Sequence, residues 1–163
     1  EWLEPRKRSF SADVYKTLQD SRIEELNLHL MLELLKHICK GDRGAVLIFL
    51  PGIGEISHLL RLMDESNCFP SSRYEVYPLH SKLPSLEQHR IFEKPPGDVR
   101  KIIVATNIAE TSITIDDIVY VIDCGKLKVT GFNVDEKILT LNTEWISQAN
   151  LRQRRGRAGR CQA

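Results

Sequence analysis

The sequence predicts an α/β fold: a mostly parallel sheet flanked by helices, with a protruding β-hairpin. Three observations carry this expectation. The strands expected at residues 45–50, 101–105 and 118–123 hold apolar runs, at 45–50, 102–105 and 118–122, that are continuous rather than alternating, as suits burial on both faces. Segments of helical period lie between such runs, which is the pattern of α/β units around a parallel sheet. Residues 126–129 and 138–141 alternate instead, with Asn133, Val134 and Asp135 between them, as in a hairpin.

Residues 1–22 are a polar leader, basic at Arg6, Lys7 and Arg8, with a short helix expected over residues 11–20 and Ser11 as its N-cap. A helix is expected over residues 23–40. Leu26, Leu30, Leu34 and Ile38 recur every four positions, with Met31 and Leu35 beside them, and Gly41 and Asp42 end it. The first strand, residues 45–50, runs into Pro51 and Gly52. A helix over residues 53–64 follows, with Ile56, Leu59, Leu60 and Met63 on one face. Residues 74–79 read as a strand. Pro84 suits the first turn of a helix reaching Phe92, and Pro95, Pro96 and Gly97 break the chain. Strands at residues 101–105 and 118–123 and the hairpin at residues 125–145 come next. A last helix runs from Ser147, its N-cap, through Arg154, with Gly156 near its end.

The 163 residues fit one domain with a short leader. The formal net charge of +1 gives no global basic field. Arg152, Arg154, Arg155, Arg157 and Arg160 nevertheless crowd into nine residues. Cys39, Cys68, Cys124 and Cys161 lack metal-ligand spacing; they read as reduced thiols of a cytoplasmic or nuclear protein. No apolar run reaches the roughly 18 residues of a membrane span, and the first residues do not form a signal peptide. The absence of an initial Met, and an end two residues after Cys161, lead us to expect a piece of a longer protein.

Ligands of an open α/β sheet bind at the carboxyl ends of its strands. Each strand here runs into small hydrogen-bonding groups: Pro51 and Gly52, His80 and Ser81, Thr106 and Asn107, with Asp123 closing its own strand. Such tips suit phosphate contacts that position a nucleic-acid strand without reading it; ordinary polar loops would look the same. In the segment from Gln153 to Arg160, permanently charged guanidinium forks match phosphate. Gly156, Ala158 and Gly159 allow close approach, so that Arg157 and Arg160 converge on one phosphate if the backbone turns. A solvated basic patch or localisation signal is the alternative, against which the interleaved glycines speak. Residues 105–115 lead from a buried strand into hydroxyls and an amide with no helical pattern. That is a second phosphate or ribose surface, or a capped turn.

From about residue 23 to its end, the chain resembles the second RecA-like domain of the DEAH/RHA family of superfamily 2 helicases. Gln-Arg-x-Gly-Arg-Ala-Gly-Arg at residues 153–160 matches the family's arginine-finger motif, and the chain ends soon after it. Thr106-Asn107-Ile108-Ala109-Glu110-Thr111-Ser112 matches the motif linking RNA grip to nucleotide state. Phe49-Leu50-Pro51-Gly52 and Leu79-His80-Ser81 match two RNA-backbone motifs.

The resemblance implies that Arg157 and Arg160 are fingers on the γ-phosphate of ATP, with Gln153 placing the attacking water or that phosphate. It implies that Ser112 senses ATP against ADP, that Thr114 and Asp116 lie near the ribose, and that Phe92 stacks on adenine. Gly52, Ser81, Thr106, Asn107 and Thr111 would contact the RNA backbone, and the hairpin would separate strands. Residues 41–52, 73–81 and 145–162 look most like the RHA branch, which includes a G-quadruplex-resolving helicase. RNA is therefore the expected partner, with DNA or quadruplex nucleic acid as alternatives. The sequence contains neither G-x-x-x-x-G-K-[ST] nor Asp-Glu-x-His. ATP and Mg2+ would then be held mainly by a first RecA-like domain outside this chain, and the chain alone would be inactive. The other reading is a pseudo-helicase that grips RNA without turnover.

Overall fold

A computed structural model describes residues 8–20, 25–83, 89–111, 113–133 and 137–159. Four strands form the expected parallel sheet: β1 (Ala45–Phe49), β2 (Tyr74–Leu79), β3 (Arg100–Ala105) and β4 (Ile118–Asp123). Their order is β2-β3-β1-β4, and every pairing is parallel. The continuous apolar runs follow from this order. β1 lies between two strands, and its side chains alternate between two buried layers. Val46, Ile48 and Leu50 pack with Ile102 and Val104 on one face. Ala45, Leu47 and Phe49 pack with Ile103, Ala105 and Leu79 on the other.

The first layer is closed by α2 (Leu28–Lys40) and α3 (Ile53–Glu65), which follow α1 (Ala12–Leu18) in the chain order α1-α2-β1-α3. Ser11 caps α1 as expected, accepting from the Val14 amide at 3.3 Å. α2 departs from expectation in two ways. It starts at Leu28 because the Asn27 side chain accepts from the Leu30 amide at 2.9 Å, which fixes the cap there. Its buried face is Leu28, Met31, Leu32 and Leu35, while Leu30 and Leu34 are exposed. A strict four-residue repeat drifts about 40° per step on a 3.6-residue helix, so the true stripe follows the mixed three-and-four spacing. Arg100 satisfies the end of α2, donating to the carbonyls of Ile38 at 2.9 Å, Gly41 at 3.3 Å and Asp42. α3 buries Ile56, Leu59 and Met63, as its period predicts.

The second layer is built from shorter pieces. A 3₁₀ turn, His89–Phe92, contributes Ile91; the start of the helix expected from Pro84 lies outside the described residues. Residues 105–115 were expected to lack helix, but α4 (Ile108–Thr111) is one helical turn. Its amides close onto Thr106 and Asn107 carbonyls three residues back, and a single turn is too short to leave a periodic signature. Ala109 and Ile115 fill the layer beside it.

Strands β5 (Lys126–Asn133) and β6 (Ile138–Trp145) form a separate antiparallel hairpin, longer than the two alternating stretches, in register from Lys126↔Trp145 to Asn133↔Ile138. Phe132, Leu139 and Leu141 are exposed on one of its faces. α5 (Gln148–Arg155) closes the described fold. Its N-cap Ser147 accepts from the Asn150 amide at 3.1 Å, and Gly156 follows its last residue, both as expected. Among the described residues no helix is long and apolar enough to cross a membrane.

Candidate functional site

The tips of β1, β2 and β3 lie together because the ladder continues past the strands. Leu50 donates to the Ala105 carbonyl at 2.8 Å and Thr106 to the Leu79 carbonyl at 3.0 Å, while Cys124 donates to Phe49 at 3.3 Å. Gly52, Ser81, Thr106 and Asn107 therefore share one edge of the sheet. Asn107, Ser81 and Thr111 are exposed there, Thr106 is half-buried and Gly52 is buried. Gly52 is extended and starts α3 without a side-chain cap. A Cβ on it would stand 2.7 Å from Lys128 Nζ and 2.9 Å from Glu55 Oε2. Those two side chains pair at 2.8 Å across the tip, so the hairpin reaches over the β1 exit and delivers a lysine to it.

Helix α5 meets this edge through a residue of a different kind. Arg154 is fully buried. Its Nε donates to Glu110 Oε2 at 3.0 Å, and its Nη1 to Asp123 Oδ1 at 2.8 Å and the Lys126 carbonyl at 3.3 Å. The guanidinium lies 4.9 Å from the centre of the Phe49 ring, which supplies a cation–π contact. Glu110 Oε1 accepts from Asn150 Nδ2, and Asp123 Oδ1 also accepts from the Gly125 amide at 2.8 Å. One arginine thus faces two carboxylates. Its Nη2 and Asp123 Oδ2 are buried without hydrogen-bond partners. Beside this cluster the Cys124 thiol is pushed above its ordinary value, first by burial. It is a neutral neighbour rather than a nucleophile.

Gln153 is exposed on α5. Arg157 is half-buried, with Nε 3.4 Å from the Gln153 carbonyl and Nη1 3.4 Å from the Ile113 carbonyl. The second contact sets Arg157 beside the segment that follows Thr111. Ser112 and Arg160 lie outside the described residues. Thr114 and Asp116 are exposed, leading into the amino end of β4 rather than the carboxyl edge. Phe92 is 49% exposed, whereas its neighbour Ile91 is the core residue of that turn. The backbone on either side of Phe92 is held by Lys101, at 1% exposure, whose Nζ donates to the carbonyls of Ile91 at 2.7 Å and Glu93 at 2.9 Å. Lys101 also pairs with Asp117 Oδ1 at 2.8 Å, as an ion pair without a directed hydrogen bond.

Apart from Gln153 on α5 and Arg157 just past it, the described residues predicted for the site fall into two groups. Gly52, Ser81, Thr106, Asn107 and Thr111 gather where β1 to β3 end. Phe92, Thr114 and Asp116 sit toward the starts of β3 and β4, on segments joined through Lys101 and Asp117. The expectation that all the chemistry gathers at the carboxyl edge holds for the first group only. Sequence reading passed over Lys101 as part of an apolar strand and Arg154 as one of five similar arginines. For Lys101 the one available signal was a charged residue just before a buried apolar run; Arg154, between exposed Gln153 and Arg155, offered none.

The whole arrangement has close relatives. Residues 27–162 match the model of the helicase conserved C-terminal domain. Over 98% of its length the chain is 46% identical to the ATP-dependent DNA/RNA helicase DHX36 of Rattus norvegicus. Over 96% it is 45% identical to the DExH-box ATP-dependent RNA helicase DExH1 of Arabidopsis thaliana. In each case it spans 16% of the relative's length. The crystal structure of the Escherichia coli DExH-box NTPase HrpB superposes on 85% of the chain with a TM-score of 0.75 at 32% identity, using 17% of that chain. The chain belongs to the helicase conserved C-terminal domain family.

Proposed function

We propose that the chain is the second RecA-like half of an ATP-driven RNA helicase motor, beginning near residue 23 after a leader that links it to the first half. ATP binds between the halves, its hydrolysis supplies the free energy, and Mg2+ is held mainly by the other half. Arg157 and Arg160 stabilise charge on the transferring γ-phosphoryl group and Gln153 places the attacking water. Phe92 stacks on the base, while Thr114 and Asp116 face the ribose and Ser112 reports nucleotide state. Gly52, Ser81, Thr106, Asn107 and Thr111 grip phosphates, so that opening and closing of the cleft ratchets the motor along one strand. The chain alone supplies half of this site and is inactive.

The single observation behind this reading is that Arg157 leans on the Ile113 carbonyl, next to the segment that ends the RNA-gripping turn. The residues suit ATP: an exposed amide near the end of α5, a half-buried arginine just past that end, and a half-exposed aromatic on a short turn. RNA is the favoured strand because both the DHX36 and the DExH1 relatives carry it in their names. DNA and G-quadruplexes are further substrates to be compared, and the cytoplasm and nucleus are the compartments in which such strands occur. A grip without turnover is disfavoured by intact Gln153, Arg157 and Arg160.

The test is RNA-stimulated ATPase of the full-length protein. Arg157→Ala and Arg160→Ala should each lower turnover by roughly 10³-fold, with far smaller loss of RNA affinity. Turnover within tenfold of the parent would remove the fingers from the reading.

A further inference from the structure

We propose that Arg154 is a positioning residue that couples the nucleic-acid grip to the nucleotide-facing arginines. The inference rests on the helicase reading above and adds to it a residue that touches neither ligand.

Three segments face the strand exits, and Arg154 holds one group from each. Glu110 belongs to α4, the turn between Asn107 and Thr111. Asp123 is the last residue of β4, and its carboxylate also fixes the Gly125 amide. The Lys126 carbonyl opens the hairpin whose Lys128 reaches Gly52. Arg154 itself stands one residue after Gln153 on the eight-residue helix α5, and three before Arg157, which lies just past the helix end at Arg155. A shift of α4 or of the hairpin base when phosphates are gripped therefore pulls on a rigid guanidinium embedded in the finger helix.

The chemistry of the cluster suits a link that moves. Filling a buried site with apolar side chains is often as stabilising as an ion cluster, so stability alone does not call for an arginine between two carboxylates. The cluster is also unsaturated. Arg154 Nη2 and Asp123 Oδ2 have no hydrogen-bond partner. A displaced arginine can engage these spare groups without leaving a carboxylate bare. Two alternative pairings of one packed element are what coupling between sites requires.

Glu110→Gln tests this in the full-length protein, with ATP and a single-stranded oligouridylate. A carboxamide accepts at one atom only, so it cannot serve both Arg154 Nε and Asn150 Nδ2. The ratio of RNA-stimulated to basal turnover should fall about tenfold, while the ATP KM without RNA moves less than about threefold. Arg154→Lys keeps the charge but loses the fork, and should lower the same ratio. Urea unfolding of each variant reports whether it is folded. In the unmodified protein, oligouridylate binding without nucleotide should change amide exchange at residues 151–157. That measurement needs no variant.

An unchanged ratio in a folded variant, or equal falls in both rates, overturns the coupling and leaves Arg154 a structural ion cluster. Unaltered exchange at residues 151–157 overturns it as well. If the unmodified protein shows no RNA stimulation, the helicase reading falls and takes this inference with it. If Arg157→Ala abolishes turnover while Glu110→Gln leaves the ratio intact, only the coupling falls.

Discussion

Lys101 and Arg154 are the two fully buried cations among the described residues, one toward each end of the sheet. Lys101, near the start of β3, is held largely by neutral groups, the carbonyls of Ile91 and Glu93, with one carboxylate that is partly open to water. Arg154, against the last residues of β1 and β4, is held by two carboxylates that are mostly buried. The amino-end cluster is thus locally balanced in charge, while the carboxyl-end cluster keeps an excess negative charge. A compact ammonium gathers carbonyls from one turn and fixes it. A planar guanidinium reaches separate segments at defined angles and ties them to one another. The comparison teaches that the turn carrying Phe92 is fastened as one piece, whereas the edge proposed to grip nucleic acid is assembled from parts around a fork.

The comparison breaks most visibly in stability. Arg154→Met leaves Glu110 and Asp123 buried and unpaired. Removing one partner of a buried ion pair costs about 3–5 kcal/mol, so urea unfolding should show a loss of that order. Lys101→Met should cost about 2 kcal/mol, because it orphans two carbonyls whose desolvation penalties are modest while Asp117 can turn to water. If Lys101→Met proved the more costly of the two, the amino end rather than the carboxyl end would be the tightly assembled one.

The sheet was legible because burial on both faces forces unbroken apolar runs, and β1, β3 and β4 carry them, whereas β2, at the edge, is half-buried and holds Glu75. The hairpin was legible because its apolar residues alternate, although the face that carries Leu139 and Leu141 is exposed. The stripe of α2 misled because leucine repeats every four residues say little about which side is covered; Leu30 and Leu34 face solvent. α4 was hidden by its length. The polar strand tips and the arginine-rich segment were legible from residue type alone, small hydrogen-bonding groups after Leu50, Leu79 and Ala105 and glycines between arginines. Arg154 and Lys101 did not, because a buried charge is recognisable only from its partners, and Glu110, Asp123, Asp117 and the carbonyls of Ile91 and Glu93 lie 8 to 44 residues away in the chain. No local pattern encodes such a meeting.

Phe92 offers the smallest effect and the sharpest check on the amino end. It stands beside Ile91 on the same short turn, yet Ile91 is 1% exposed and Phe92 49%. If Lys101 fixes the turn through its backbone, the Phe92 side chain is free of structural duty. Phe92→Ala should then change unfolding free energy by no more than about 0.5 kcal/mol, as for exposed positions without special contacts. In the full-length protein the same substitution should raise the ATP KM and spare RNA affinity. An unchanged KM would remove Phe92 from the base-stacking role. A stability loss of several kcal/mol would show instead that the aromatic ring, and not Lys101, holds the turn to the sheet.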